Sequence, residues 1–437
     1  MSYKTELLQK IENREAVIAV IGIGYVGLPL AVEFAREGYR VIGVDVSEKK
    51  VGLINSGVSY IPDIPTEDIA RPVEAGLLSA TTDYSILRDV DAISICVPTP
   101  LRKTKDPDMS YIIAAADEIA KYSRPGQLIV LESTTYPGTT DELIVPRVAQ
   151  NGYRVGEDIF VCFSPERIDP GNKTYGVRNT PKVIGGATPD CTEVAVALYS
   201  KPIERVIPVS STRTAEMVKL LENTFRSVNI GLVNEMALMC DKLDVNVWEV
   251  IEAASSKPFG FMTFYPGPGL GGHCIPIDPL YLSWKLKALN YNARFIELAS
   301  EINSNMPLYV VTKIMDALNE VRKTVNGANI LILGAAYKRD IDDLRESPAL
   351  DIIRLLEERG ANISYHDPYV PNLYREGIDL ESVPLTEETV GAADAVVVVT
   401  DHTCLDYAWV AEHASIVVDT RNALKDVQQP RARVVLL

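Results

Sequence analysis

From near residue 16 the chain alternates between two kinds of segment. Short runs rich in β-branched residues, at 17–21, 40–45, 92–97, 127–132 and 159–163, are separated by segments with helical spacing of apolar residues. The runs are apolar on both faces, so they predict strands of a parallel sheet covered by helices on both sides. Val183-Ile184-Gly185-Gly186 and Val206-Ile207-Pro208 are the expected last strands of this unit. From 212 to 241 the pattern changes. Gly231 is the sole Gly or Pro there, and Met217, Leu220, Leu221, Phe225 and Val228 recur at helical spacing. One long helix is predicted, with further helices over 247–254 and 297–318. Residues 329–333 open a second β/α series, with strands at 363–365, 395–400 and 416–419. Its helices start at Ser347-Pro348, a serine cap followed by a proline at the first helical position, and near Thr386.

The expected fold is therefore α/β: two doubly wound parallel-sheet domains joined by a central helical domain with a long helix. The divisions fall at 1–210, 211–306 and 307–437. A length of 437 residues suits roughly three domains of about 150 residues each.

Composition narrows the partners. There are 43 Lys+Arg against 59 Asp+Glu, a formal charge of −16. Binding to nucleic acid rests mainly on Lys and Arg releasing counterions, so this balance argues against it, and equally against an anionic membrane surface. The longest apolar runs, such as 395–399, are strand-sized and far short of a membrane span. Residues 1–14 are charged and lack an apolar core, unlike a secretory signal. Six cysteines are scattered singly, with no CxxC pair, which disfavours a disulfide framework or a zinc site; no metal is expected. The expectation is a soluble, cytoplasmic protein with reduced thiols.

Gly22-Ile23-Gly24-Tyr25-Val26-Gly27 follows the first strand and opens a helix. In such a turn Gly22 allows the tight bend, Gly24 lets the backbone approach a pyrophosphate, and Gly27 allows close helix–strand packing. The phosphates would sit on the free N–H groups at the helix N-terminus. The next strand ends at Asp45, about 20 residues on. An acid there suits the ribose hydroxyls of NAD and repels the phosphate of NADP. The second α/β series has Gly334-Ala335-Ala336-Tyr337-Lys338 at the corresponding place and lacks this fingerprint.

The segment Phe264-Tyr265-Pro266-Gly267-Pro268-Gly269-Leu270-Gly271-Gly272-His273-Cys274-Ile275-Pro276-Ile277-Asp278-Pro279 is the most unusual in the chain. Its glycines and prolines predict a shaped loop. Asp278 reads as a cap and Pro279 as the first helical position, which puts Cys274 just before a helix N-terminus, where positive potential favours a thiolate. By type alone a free cysteine is a small buried hydrophobe; the Gly-rich loop, the helix start and the nearby acid favour a nucleophile here. Gly271-Gly272 would admit a ligand or expose backbone N–H groups to an oxyanion. His273 reads as loop-shaping. Cys96, Cys162, Cys191, Cys240 and Cys404 read as packing.

The chain from Gly22 to Arg421 resembles the nucleotide-sugar 6-dehydrogenases, the UDP-glucose/GDP-mannose dehydrogenase family. The resemblance rests on Gly-Gly-His-Cys-Ile-Pro-Ile-Asp-Pro, on Ser-Pro-Glu-Arg at 164–167 and on Lys-x-x-x-Asn at 219–223. Within the family, Lys257-Pro258-Phe259-Gly260-Phe261 and Tyr265-Pro266-Gly267-Pro268-Gly269-Leu270 look most like bacterial UDP-N-acetylglucosamine 6-dehydrogenases. The resemblance implies two Rossmann-like domains and an NAD-dependent, four-electron oxidation of a sugar C6 hydroxyl to a carboxylate. Cys274 would capture the aldehyde as a thiohemiacetal and pass through a thioester released by water. Lys219 and Asn223, one helical turn apart, would contact the C6 oxygen; Glu166, Thr134 and Asp278 would hold or activate the water.

By the same resemblance, Gly22, Gly24, Tyr25, Val26, Gly27, Asp45, Lys50, Thr99, Thr134 and Arg345 would contact NAD. Glu166, Lys219, Asn223, Lys257, Tyr265, Gly271, Lys338 and Arg421 would contact a UDP-sugar. Many family members carry an arginine from the partner subunit shortly before the Gly-rich loop, and this stretch has only Lys257. The resemblance further implies a homodimer built through the long helix and a product destined for surface polysaccharide. UDP-glucose, UDP-N-acetylmannosamine and GDP-mannose are alternative substrates. A single-step hydroxyacid dehydrogenase and a non-catalytic NAD-binding module are more distant alternatives.

Overall fold

The computed structural model describes the chain except residues 62, 63, 101, 103–105, 169–171, 173 and 273. His273 therefore lies outside the described residues. The chain forms two compact units, Met1–Glu222 and Asn223–Leu437.

The first unit is built on eight strands: β1 (Val17–Ile21), β2 (Arg40–Val44), β3 (Leu78–Thr81), β4 (Ala92–Ile95), β5 (Leu128–Leu131), β6 (Phe160–Phe163), β7 (Lys182–Gly186) and β8 (Val206–Val209). Their order is β3-β2-β1-β4-β5-β6-β7-β8. Strands β4 to β7 are buried along their whole length, which is why they read as mainly apolar runs. The edge strand β3, Leu-Ser-Ala-Thr, alternates buried and open positions and is too short and polar to be read from sequence. All neighbours pair in parallel except β6 and β7, which are antiparallel. Several predicted strands end one or two residues early. Asp45, Val97 and Glu132 thus lie just beyond the carboxyl ends of β2, β4 and β5, on the edge where open α/β sheets bind ligands.

The long helix runs from Thr212 to Lys242. In the second unit come helices Val247–Ser255, capped by the Asn246 side chain, Cys274–Lys287 and Arg294–Glu320. A five-stranded sheet of β9 (Asn329–Leu333), β10 (Asn362–His366), β11 (Ala395–Val398), β12 (Ile416–Asp419) and β13 (Arg433–Leu436) follows, in the order β10-β9-β11-β12-β13. Every pair in it is parallel. Ser347 caps the helix Pro348–Glu357 by accepting from the Ala349 amide, and Thr386 forms a capping box with Thr389.

The helix after the Gly-rich loop starts at Cys274, not after Asp278. Pro276 falls in its first turn, where amides have no helical partner, so the helix begins a turn before Pro279. Asp278 is consequently a buried helical residue and not a cap. Cys404, read as packing, is exposed in the loop after β11, whereas Cys96, Cys162, Cys191 and Cys240 are buried. Among the described residues no helix is long and apolar enough to cross a membrane.

Candidate active site

The turn between β1 and the helix Gly27–Arg36 is shaped by its three glycines, each for a different reason. Gly22 has φ +86°, and a Cβ there would lie 2.6 Å from the Cys96 carbonyl oxygen. A Cβ on Gly27 would lie 2.0 Å from the Gly22 carbonyl oxygen. Around Gly24 there is nothing within 4 Å of a Cβ, so this face of the turn is open. No side chain caps the helix at Val26; the Leu28 amide donates to the Gly24 carbonyl at 3.1 Å and Pro29 carries no amide hydrogen. Tyr25 is exposed and Thr99 buried.

Asp45 Oδ2 accepts from the Ile23 amide at 3.2 Å and Oδ1 from the Ser47 amide at 2.9 Å. Lys50 Nζ lies 3.1 Å from Oδ2. At least three of about four acceptor positions are engaged, so a bidentate ribose contact requires the half-exposed Lys50 to turn aside. Lys50 thus holds Asp45 beside the turn. An uncapped helix N-terminus, an open Gly24 and an acid at the end of β2 fit NAD.

Further along the same sheet edge, Lys219 Nζ donates to Thr134 Oγ1 at 2.5 Å. Glu166 follows β6; its Oε1 accepts from the Arg167 and Ile168 amides, both at 2.8 Å, and its Oε2 from Lys182 Nζ at 3.1 Å. Burial raises the Glu166 carboxyl, but the Lys182 charge and the two amides outweigh it and hold the group below the ordinary value. Arg167 is turned away onto Glu222, at 2.6 Å.

Sequence reasoning missed Glu216. It is buried on the long helix, three residues before Lys219, and accepts from Gly138 N, Thr140 N and Thr140 Oγ1. Its carboxyl is pushed up to about 7, because burial outweighs the amides of Thr140 and Gly138. An acid on a helix carries no local mark of burial, so nothing in the sequence singled it out.

In the second unit Cys274 is exposed at the first residue of its helix. Asp278, one turn on, accepts from Asn223 Nδ2 at 2.5 Å, so two predicted residues meet beside the thiol's helix. The Gly271-Gly272 pair has a different use from the one expected. A Cβ on Gly271 would lie 2.5 Å from Tyr337 Cβ, and one on Gly272 2.8 Å from the Tyr337 ring. The pair lets that ring lie against the loop. Gly272 N also donates to the Arg345 carbonyl at 2.9 Å.

Arg345 forks onto Asp343, with Nη2–Oδ2 at 2.6 Å. That bond is the first cause of its raised pKa; burial opposes it, and the charges of Asp343, Tyr337 and Cys274 add to the rise. Arg421 is held by Val399 O at 2.9 Å, and a Cβ on Gly267 would come within 2.6 Å of its Nη1. Tyr265 stacks on Trp248, Lys257 lies over the Phe259 ring, and Lys338 is half-buried.

A glycine turn at the first strand, a second doubly wound sheet and an acid at the end of β2 fit an NAD-dependent dehydrogenase. The chain belongs to the UDP-glucose/GDP-mannose dehydrogenase family. The family's NAD binding domain matches residues 16–203, its central domain 213–305 and its UDP binding domain 331–426. A UDP-N-acetyl-D-mannosamine dehydrogenase of Methanococcus maripaludis (strain C7) is 36% identical over 93% of this chain and 93% of its own. A UDP-N-acetyl-D-glucosamine 6-dehydrogenase of Pseudomonas aeruginosa is 35% identical, covering 89% of this chain and 91% of its own. The solved UDP-D-ManNAc dehydrogenase of Pyrococcus horikoshii superimposes with a TM-score of 0.87 at 34% identity, over 96% of this chain and 98% of that one.

Proposed function

We propose that this protein oxidises the C6 hydroxyl of a UDP-N-acetylhexosamine to the carboxylate, with UDP-N-acetylglucosamine as its substrate, for surface polysaccharide. The observation that carries the reading is Cys274, exposed at a helix start one turn from the Asp278–Asn223 pair. NAD, bound at the Gly22–Gly27 turn, supplies the hydride acceptor. Lys219 and Asn223, one turn apart on the long helix, hold the C6 oxygen, the ammonium favouring its alkoxide. The Cys274 thiolate adds to the aldehyde carbon, and after the second oxidation the resulting thioester is opened by water. Glu166, held ionised, takes a proton from that water.

In this reading residues 1–210 hold NAD, 211–306 present the thiol, and 307–437 hold the UDP-sugar through Lys338 and Arg421. The protein works as a homodimer in the cytoplasm. Leu221, Phe225, Leu232 and Met239 are exposed along one stripe of the long helix, which supports pairing there. A second reading, UDP-N-acetylmannosamine, is favoured by the names of the Methanococcus and Pyrococcus relatives.

The test is a panel of UDP-N-acetylglucosamine, UDP-N-acetylmannosamine, UDP-glucose and GDP-mannose with NAD, counting NADH per sugar. Two NADH and a carboxylate, fastest with UDP-N-acetylglucosamine, are expected. A best rate with UDP-glucose overturns the choice of sugar class, and one NADH per sugar overturns the four-electron reaction.

A further inference from the structure

Behind Glu166 lies a buried chain of polar groups that the proposed reaction does not use. Lys182 Nζ sits 3.1 Å from Glu166 Oε2 and 2.7 Å from Glu132 Oε2. Glu132 Oε1 in turn accepts from the Tyr199 hydroxyl, which is 2.8 Å from Ser94 Oγ. The Lys182 ammonium also lies 5.6 Å from the Tyr199 ring centre. The Lys182 side chain is 5% exposed, Glu132 0% and Glu166 8%. Enclosing such charges carries a desolvation cost that apolar residues of similar size would avoid, so stability is a poor reason for them.

Topology puts the lysine where it is. Lys182 is the first residue of β7, and in a parallel strand it would sit at the edge opposite the ligands. β7 instead runs antiparallel to β6, with Cys162 opposite Gly186 and Phe163 opposite Gly185. Continued past the end of β6, the same register sets Glu166 opposite Lys182. Ser164 Oγ, donating to the Val183 carbonyl at 2.9 Å, carries the pairing across that gap. The reversal at β7, which β8 shares, thus delivers a lysine to the carboxyl edge of β1–β6.

We propose that Lys182 is the positioning residue for Glu166, holding it as a carboxylate aimed at the product-releasing water, and that Glu132 competes for the same ammonium. This rests on the reading of Glu166 as the group that takes the water's proton. In that step the water oxygen bonds the thioester carbon, the C–S electron pair returns to Cys274 Sγ, and one water proton passes to Glu166. Lys182 keeps its own protons throughout, because Glu132 and Glu166 hold its pKa above the ordinary value against burial. Burial outweighs the lysine at Glu132 and raises that carboxyl, so the two acids are driven apart. The other ionisable groups facing this cluster are Cys96, whose thiol burial pushes well up, and Tyr199, whose phenol burial likewise keeps protonated. Arg167 is engaged with Glu222.

The experiment is the pH profile of kcat for the two-NADH reaction in Lys182→Gln and Glu132→Gln, beside Glu166→Gln. Lys182→Gln keeps an amide donor between the acids and removes the charge; the acidic limb should move up by roughly one to three pH units, while KM for NAD stays put. Glu132→Gln frees the ammonium for Glu166 alone and should move the limb down. If Lys182→Gln does not fold, Glu132→Gln, which can still accept from Tyr199, decides. Folded variants with the wild-type limb overturn the inference. Glu166→Gln separates the two ideas. If it loses acid formation while the other limbs stay unmoved, only the role of Lys182 fails. If it retains acid formation and the limb, the reading of Glu166 itself fails.

Discussion

Two glycines three residues apart in one turn should fail in opposite ways when given a methyl group. In Gly27→Ala the new Cβ would meet the Gly22 carbonyl oxygen at 2.0 Å, with Val20 Cγ1 at 3.0 Å and Cys96 Cβ at 3.1 Å behind it. An ordinary contact begins near 3.4 Å, so the helix start must move by about 1.4 Å against backbone. Overpacking of this kind costs about 1–3 kcal/mol, and a backbone obstacle puts it near the upper end. For a domain of 150–250 residues each kcal/mol is worth roughly 2–4 °C, so the first unit should lose about 6–12 °C in melting temperature. Gly24→Ala places its methyl in open space on a backbone without positive φ. Its melting temperature should stay within about 1 °C of wild type. That methyl stands where the pyrophosphate must approach, so the Kd for NAD should rise about tenfold or more, a loss of about 1.4 kcal/mol. Differential scanning fluorimetry and titration calorimetry with NAD read the two effects separately. Normal NAD binding by a folded Gly24→Ala would refute the assignment of that open face to the cofactor. An unchanged melting temperature for Gly27→Ala would refute the packing argument.

Other consequences can be checked with equally direct measurements. Cys274→Ser should abolish the two-NADH reaction, with no carboxylate product by mass spectrometry; full turnover would rule out the thioester route. Glu216 titrates at about 7 in the fold and near 4.3 when unfolded. Between those values the folded chain holds the extra proton, so stability should fall as pH rises from about 4.5 to about 7, by something on the order of 3 kcal/mol. Urea melts across that range should show the slope in the wild type and lose it in Glu216→Gln; an equal slope in both would refute the assignment.

Much of the fold was legible because its rules are local. The core strands announce themselves as short, mainly apolar runs, since both of their faces are buried. The caps at Ser347 and Thr386 are written in residues two or three apart. Strand β3 was not legible: four residues on an edge offer neither length nor an apolar run. The start of the cysteine helix was misread because Pro276 and Pro279 can each mark a first turn, and the choice between them is made by packing.

The β/α alternation, the glycine turn with its acid and a cysteine near a helix start are written in the sequence, because each is set by residues close along the chain. Only the tertiary structure decided what surrounds each charge. It turned Asp278 inward onto Asn223, closed Gly271-Gly272 around Tyr337, and buried Glu216 beneath the Gly138–Thr140 turn. It also brought Glu132, Glu166 and Lys182 together from three neighbouring strands, through the one antiparallel junction of the sheet, between β6 and β7. Helix and strand periodicity act between near neighbours and can be read along the chain. Desolvation and charge pairing depend on which distant segments meet, and strand order and direction settle that.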